Sequence, residues 1–243
     1  MDKVKPHGLL IWLVGIFALA GCGRDLPEPA TAVGDVGVAT PALAPTPPDD
    51  GCAADAVQPL YADQVIAFTP GTGAGFGSEK FPGVVLGPPH GGGTDAGSLD
   101  VLSLGNGGEI ILGFKDRVIR DQAGPDFIVF ENAFWPQGDQ LHPWAELAEV
   151  SASADGTTWV AFPCDAAGDG AGHWASCAGW RPVLQYNTCV VTPLDPTITG
   201  GDPFDLADVG LTEARYVKIR DIGTTGSSPN AGFDLDAVGL VNP

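Results

Sequence analysis

Asp234 and Asp236, two residues apart near the end of the chain, are the side chains best spaced to do chemistry. In a regular strand alternate side chains share a face, so both carboxylates emerge together while Phe233 and Leu235 pack on the other side. Two like charges held so close favour a shared cation. Glu131 and Asn132, at the end of the strand that starts at Asp126, add the hard oxygen donors that calcium prefers. Glu131, Asn132, Asp234 and Asp236 are therefore the candidate metal ligands, with Ca2+ as the expected ion. The competing reading is local: acids at strand ends cap turns or accept backbone hydrogen bonds. A further acidic group, Asp202, Asp205 and Asp208 beside Gly200 and Gly201, is accounted for if Asp202 or Asp205 caps a short helix.

The loop Phe134-Trp135-Pro-Gln-Gly-Asp-Gln-Leu-His142-Pro-Trp144 is rich in rings, and Trp174, Trp180 and Tyr186 follow later. Aromatic rings on loops at one rim can stack on sugar rings, with Asp139, Gln140 and His142 reading hydroxyls. The candidate ligand-binding set is Trp135, Asp139, His142, Trp144, Trp174 and Trp180. The same rings serve equally well as small cores beneath long loops.

Catalysis has thinner support. His142 and Glu146 can be drawn as an acid/base pair, and Glu131 and Asp234 as the carboxylates of an extracellular glycoside-hydrolase-like enzyme. No nucleophile elbow, His-Glu-x-x-His or other ordered constellation accompanies them, so no catalytic residue is assigned. Glycine-rich 71–77 and 91–93 lack a following Lys-Ser/Thr or a helix start, which argues against phosphate cradling. Glycine there marks turns.

The N-terminus sets the expected address. Lys3 and Lys5 precede an apolar run, 9–20, too short to span a bilayer as a mature helix, and the run ends in Leu19-Ala20-Gly21-Cys22. This resembles a bacterial lipoprotein signal, which implies removal of residues 1–21 and lipidation of Cys22. The implied location is the cell envelope, at the outer membrane or cell surface, with the lipid as the sole membrane contact. The formal net charge is -19, and loss of the first 21 residues, with Asp2, Lys3 and Lys5, makes it one unit more negative. Such a surface repels nucleic acid and anionic headgroups.

With Cys22 acylated, Cys52, Cys164, Cys177 and Cys189 are left, and an even number in an oxidising compartment reads as two disulfides. Cys164 with Cys177 brackets one Gly/Ala/Asp-rich loop, leaving Cys52 with Cys189. Closing such a loop is worth roughly 3 kcal/mol in the chain-entropy picture. The alternative, zinc held by Cys164, His173, Cys177 and Cys189, lacks a Cys-x-x-Cys knuckle and needs thiols that stay reduced.

The elements that must position these residues are strands. After a Pro- and Ala-rich stretch, 22–51, whose composition reads as a disordered tether, residues 52–243 form the expected domain. Period-two apolar runs occur at 64–69, 99–104, 109–114, 126–130, 149–154, 188–192, 215–220 and 233–241, separated by Gly/Pro/Asp clusters. No window carries an amphipathic helix, although 204–209 can make one turn. The expected fold is all-β: an antiparallel β-sandwich or jelly roll, single domain.

Val150-Ser-Ala-Ser-Ala-Asp155-Gly156-Thr-Thr-Trp159 reads as a hairpin with a tight Asp-Gly turn and a tryptophan lying across the core face. Ala214-Arg215-Tyr216-Val217-Lys218-Ile219-Arg220 alternates as an antiparallel strand should. In this order the two segments resemble discoidin (factor 5/8 type C), galactose-binding-like jelly rolls. Gly124-Pro-Asp126-Phe-Ile-Val-Phe-Glu131-Asn132-Ala-Phe134, preceded by Ser98-Leu-Asp-Val-Leu-Ser-Leu-Gly105 and followed by Gly232-Phe-Asp234-Leu-Asp236-Ala-Val, is similar to bacterial cell-surface proteins of unassigned activity. The Phe-Asp-Leu-Asp ending departs from discoidin-type domains, so their spike-loop contacts are not carried over. The resemblances imply a lipid-anchored surface module that binds a glycan or other surface polymer without chemistry. The alternatives are the carboxylate-dependent hydrolase and a purely structural envelope or adhesion partner.

Overall fold

The computed structural model describes residues 60–168, 170, 172, 174–184 and 194–242. Its strands follow the apolar alternation. In chain order they are β1 (Gln64–Thr69), β2 (Leu102–Ser103), β3 (Glu109–Gly113), β4 (Ile119–Arg120), β5 (Phe127–Glu131), β6 (Ala148–Ser153), β7 (Val160–Ala161), β8 (Asp202–Phe204), β9 (Glu213–Ala214), β10 (Tyr216–Asp221) and β11 (Asp234–Leu240). A five-stranded sheet, β1-β3-β10-β6-β7, faces a four-stranded sheet, β2-β11-β5-β8, and β4 pairs with β9. All of these pairings are antiparallel. The fold is an all-β antiparallel sandwich.

Alternation explains the layers. Ile110 and Leu112 of β3, Val150 and Ala152 of β6, and Val217 and Ile219 of β10 point inward and meet Leu102, Phe127, Val129, Leu235, Val238 and Leu240. Phe127 stacks on Phe204 at 5.2 Å between ring centroids, and Phe162 meets both rings edge-on. The other face of β5 and β11 is also covered, by a smaller core of Tyr61, Ile128, Phe130, Val183, Leu194 and Ala237. All seven residues of β11 are thus buried.

Several expectations need correction. The pairing of β11 with β5 slips between Leu235 and Ala237, a bulge that leaves Asp236 as the extra residue and breaks the alternation meant to put it beside Asp234. Trp159 does not lie across the core. It is half-buried on the outer face, where Lys218 Nζ sits 4.6 Å from its ring. Tyr216 belongs to the same outer alternation of β10, since Val217 and Ile219 take the inner one.

The β6–β7 connection is longer than a tight Asp-Gly hairpin, because pairing resumes only at Ala152↔Val160. Gly156 alone there takes positive φ, while the Asp155 carboxylate accepts from the Thr157 and Thr158 amides. The 99–104 run shortens to Leu102–Ser103, with Leu99 exposed. Asp205, not Asp202, caps the turn Leu206–Val209.

Cys164 and Cys177 form the expected disulfide. Cys22, Cys52, Cys189, His173, Tyr186, the 22–51 tether and the 188–192 strand lie outside the described residues. Phe127→Ala, which removes the centre of the three-ring cluster, is expected to cost about 3–5 kcal/mol in chemical denaturation. A loss below about 1 kcal/mol would mean that the sheets do not close on that cluster.

Candidate functional site

Two features meet at one end of the sandwich, a groove walled by aromatic loops and a buried group of acids beneath one of its walls. The groove holds about 390 Å³ and is lined by Trp135, Gln140, Leu141, Trp180, Arg181 and Pro196, with Pro182, Leu184 and Gly200 completing it. Its walls are fixed by backbone bonds. The Trp135 amide donates to Thr94 O, Gly93 N to Val183 O, Leu184 N to Thr199 O and Gly201 N to Pro182 O. The strip 182–184 is therefore clamped between 93 and 199–201. Asp195 caps the helical turn α1 (Pro196–Thr199), which supplies the floor near Pro196. Arg181 lies over the Trp180 ring, 4.5 Å from its centroid, so one guanidinium and two indoles face the same space.

The aromatic candidates divide. Trp135 and Trp180 line the groove, joined by Gln140. Trp144 is 55 % exposed and stacks on Phe134 at 6.0 Å. Trp174 is half-buried and donates its Nε1 hydrogen to Gly168 O. Asp139 and His142 pair with each other at 2.9 Å on the exposed loop and are not among the groove's lining residues. The drawn His142–Glu146 pair does not form a unit, since Glu146 is buried and its carboxylate is hydrogen-bonded to the Thr225 side chain.

The acid group is built on β5 and β8. Phe127, Val129 and Glu131 share one face of β5, and the first two lie in the inter-sheet core, so Glu131 points into the end of that interior. Across the β5–β8 pair, Asp202 stands opposite Val129. A Cβ on Gly201 would sit 2.6 Å from Phe130 in the second core, which leaves Asp202 facing the inter-sheet side. The segment after Cys177 closes the end. Ala178 and Ala148 exchange backbone bonds, Glu146 N donates to Gly179 O, and Gly179 takes φ +94°, with its open α-carbon against the Glu146 carbonyl and the Phe233 ring. Asp202 Oδ2 accepts from the Gly179 amide at 2.7 Å and the Trp180 amide at 3.3 Å.

Of the candidate metal ligands, the structure brings Glu131, Asn132 and Asp234 together and separates Asp236. Asp234 accepts from the Ser103 hydroxyl and from Asn132 Nδ2. Asp236 turns away to the His90 amide, which donates to both its oxygens. Glu146 and Asp202 complete the group; sequence reasoning gives Glu146 to a pair with His142 and Asp202 to an acidic cluster with Asp205 and Asp208, not to a place beside Glu131.

Glu131 is 1 % exposed, and neither carboxylate oxygen has a hydrogen-bond partner. Burial first, then repulsion from Asp234, Glu146 and Asp202, pushes it well above the usual carboxylate range; the Asn132 amide tempers this without reaching hydrogen-bond geometry. Burial raises Glu146 to about 7 and Asp202 to about 7. Asp234 is also raised, again by burial.

A different trio, Asp121, Asp126 and Asp205, has carboxylate oxygens within 4.8 Å of one another. Its buried member is engaged, since Asp126 accepts from the Gln122 and Leu206 amides with its two oxygens; Asp205 accepts from Ala207, and Asp121 is exposed. No helix among the described residues is long and apolar enough to cross a membrane. No protein-family model matches the chain, and no curated protein is significantly similar to it. Function is therefore argued from the site's own chemistry.

The acids carry a pH signature. Glu146 and Asp202 sit at about 7 in the folded chain and at roughly 4 once unfolded, so the folded state binds more protons between those values. Their stabilising contribution is complete below the unfolded value and is lost as pH rises through the folded one. In chelator, the melting temperature should fall from about pH 5 to about pH 8, and Glu146→Gln should flatten that fall. A melting temperature that climbs over the interval would contradict the burial of these acids.

Proposed function

We propose that the protein is a lipid-anchored module of the bacterial cell surface that binds a glycan or another surface polymer, non-catalytically, in the groove between Trp135 and Trp180. The observation that carries this reading is the convergence of two tryptophans from separate loops, with Gln140 and Arg181, on one open groove. Indole faces suit the apolar faces of sugar rings, and amide and guanidinium groups suit their hydroxyls. Leu141, a lining residue that is itself exposed, adds apolar surface to the rim. The signal-like N-terminus supports the address, and the discoidin-like segments on an antiparallel sandwich support the module class.

The hydrolase reading has less behind it. Glu131 and Asp234, the acids it would use, are 1 % and 7 % exposed, and a general acid must come within hydrogen-bond reach of the glycosidic oxygen. A purely structural envelope role has no feature here that favours it over the groove.

The test is binding of the full-length protein to a panel of bacterial and host polysaccharides. Trp135→Ala and Trp180→Ala should each weaken the bound polymer about tenfold or more, while Trp174→Ala leaves it unchanged. Binding that survives the double Trp135/Trp180 variant, or failure to bind any polysaccharide, would overturn the proposal.

A further inference from the structure

We propose that the buried acid group beside Gly179 binds a hard divalent cation of the calcium class, anchored by Glu131 and surrounded by Asp234, Glu146 and Asp202. This goes beyond the polymer-binding reading and does not depend on what the groove holds.

The orphaned Glu131 carboxylate points to the ion. Folded proteins leave few buried polar atoms unpaired, and each such atom calls for an explanation. The other buried acids here have one: Asp126, Asp221 and Asp236 accept backbone amides, and Asp234 accepts from Ser103 and Asn132. Glu131 offers two bare oxygens at 1 % exposure, and Asp202 a third in Oδ1. A proton can satisfy at most one oxygen of a carboxyl, and its O–H then needs an acceptor. A cation satisfies several oxygens at once and offsets the mutual repulsion of the acids. The donors are all oxygen, with no histidine or thiol among them, which selects calcium or magnesium over zinc or copper.

The group is not merely a crowd of acids. In the tighter trio Asp126, the one buried member, has both oxygens on backbone amides and Asp121 is exposed, whereas Glu131 is buried with both oxygens vacant. Because the group is wider, the ion has to draw its carboxylates inward.

Asp202 joins this acid group to the groove wall. Its Oδ2 holds the Gly179 and Trp180 amides, and its Oδ1 is left for the ion. An ion that fixes Asp202 therefore fixes the backbone that carries Trp180.

The experiment titrates calcium chloride, and magnesium chloride in parallel, into chelator-treated full-length protein at neutral pH. Calorimetry and thermal melting are the readouts, with amide exchange over residues 177–181. Expected are saturable binding and a melting temperature about 5–10 °C higher at a hundredfold excess over Kd. Glu131→Gln, which keeps the side chain's volume, should abolish the shift while retaining the circular dichroism of the parent, and Asp202→Asn should raise Kd at least tenfold. Amides of 177–181 should exchange more slowly in calcium. No shift with either ion at millimolar concentration, or a shift that persists in Glu131→Gln, would overturn the site. Calcium binding with unchanged exchange at 177–181 would overturn its link to the groove wall.

Discussion

Buried carboxylates that accept backbone amides hold the loops of this protein in place. A sandwich of short strands with one α-helical turn among its described residues has few helix caps or long ladders with which to anchor its connections. Asp126 takes the Gln122 and Leu206 amides, Asp221 those of Gly107 and Phe233, Asp236 that of His90, and Asp202 those of Gly179 and Trp180. Each clamp joins a strand end to a connection, and several join residues far apart in the chain. Hydrogen bonds to a charged acceptor are worth roughly 1.5–3 kcal/mol, but each acid loses hydration on burial, and burial pushes Asp126, Asp221 and Asp236 up from the usual range. The clamps therefore act chiefly by fixing which loop goes where.

That arrangement follows from the double burial of β11. With apolar cores on both of its faces, the strand draws Asp234 and Asp236 out of water with it. The bulge at Leu235–Ala237 sends them to different places, one toward Ser103 and Asn132, the other to the loop at His90. The groove inherits its shape from the same end of the sandwich. Asp202 lies in β8 against β5, Trp135 follows β5 by four residues, and the Cys164–Cys177 bridge holds the start of the strip that carries Trp180.

The long strands were legible in two ways: β6 and β10 alternate in residue type, while β1, β3, β5 and β11 are short apolar or β-branched runs bounded by turn residues. Two-residue strands such as β4, β7 and β9 hold too little sequence to show any period, and they form because neighbouring backbone is already in place. The bulge in β11 was not legible, since Phe-Asp-Leu-Asp-Ala reads as unbroken alternation; pairing with β5 decides it. Sequence alone places Trp159 across the core face, but Val217 and Ile219 hold the inner face of β10 and Trp159 packs outside, beside Lys218. For the site, residue type picked out Trp135, Trp180, Glu131 and Asp234. Glu146 and Asp202 take other roles on sequence alone, and their place beside Glu131 became visible only when strands distant in sequence met, because residue type alone does not show whether an acid faces water or the interior.

One more consequence follows from β1. Among the described residues it is the outermost strand of the five-stranded sheet, six residues long, and its register slips between Val65 and Ala67. A straight, unpaired margin of that length would be a template on which a second molecule could add its own strand. The kink interrupts the row of amide and carbonyl groups and increases the local twist, so a second copy adding a strand there would meet an irregular margin rather than a matching ribbon.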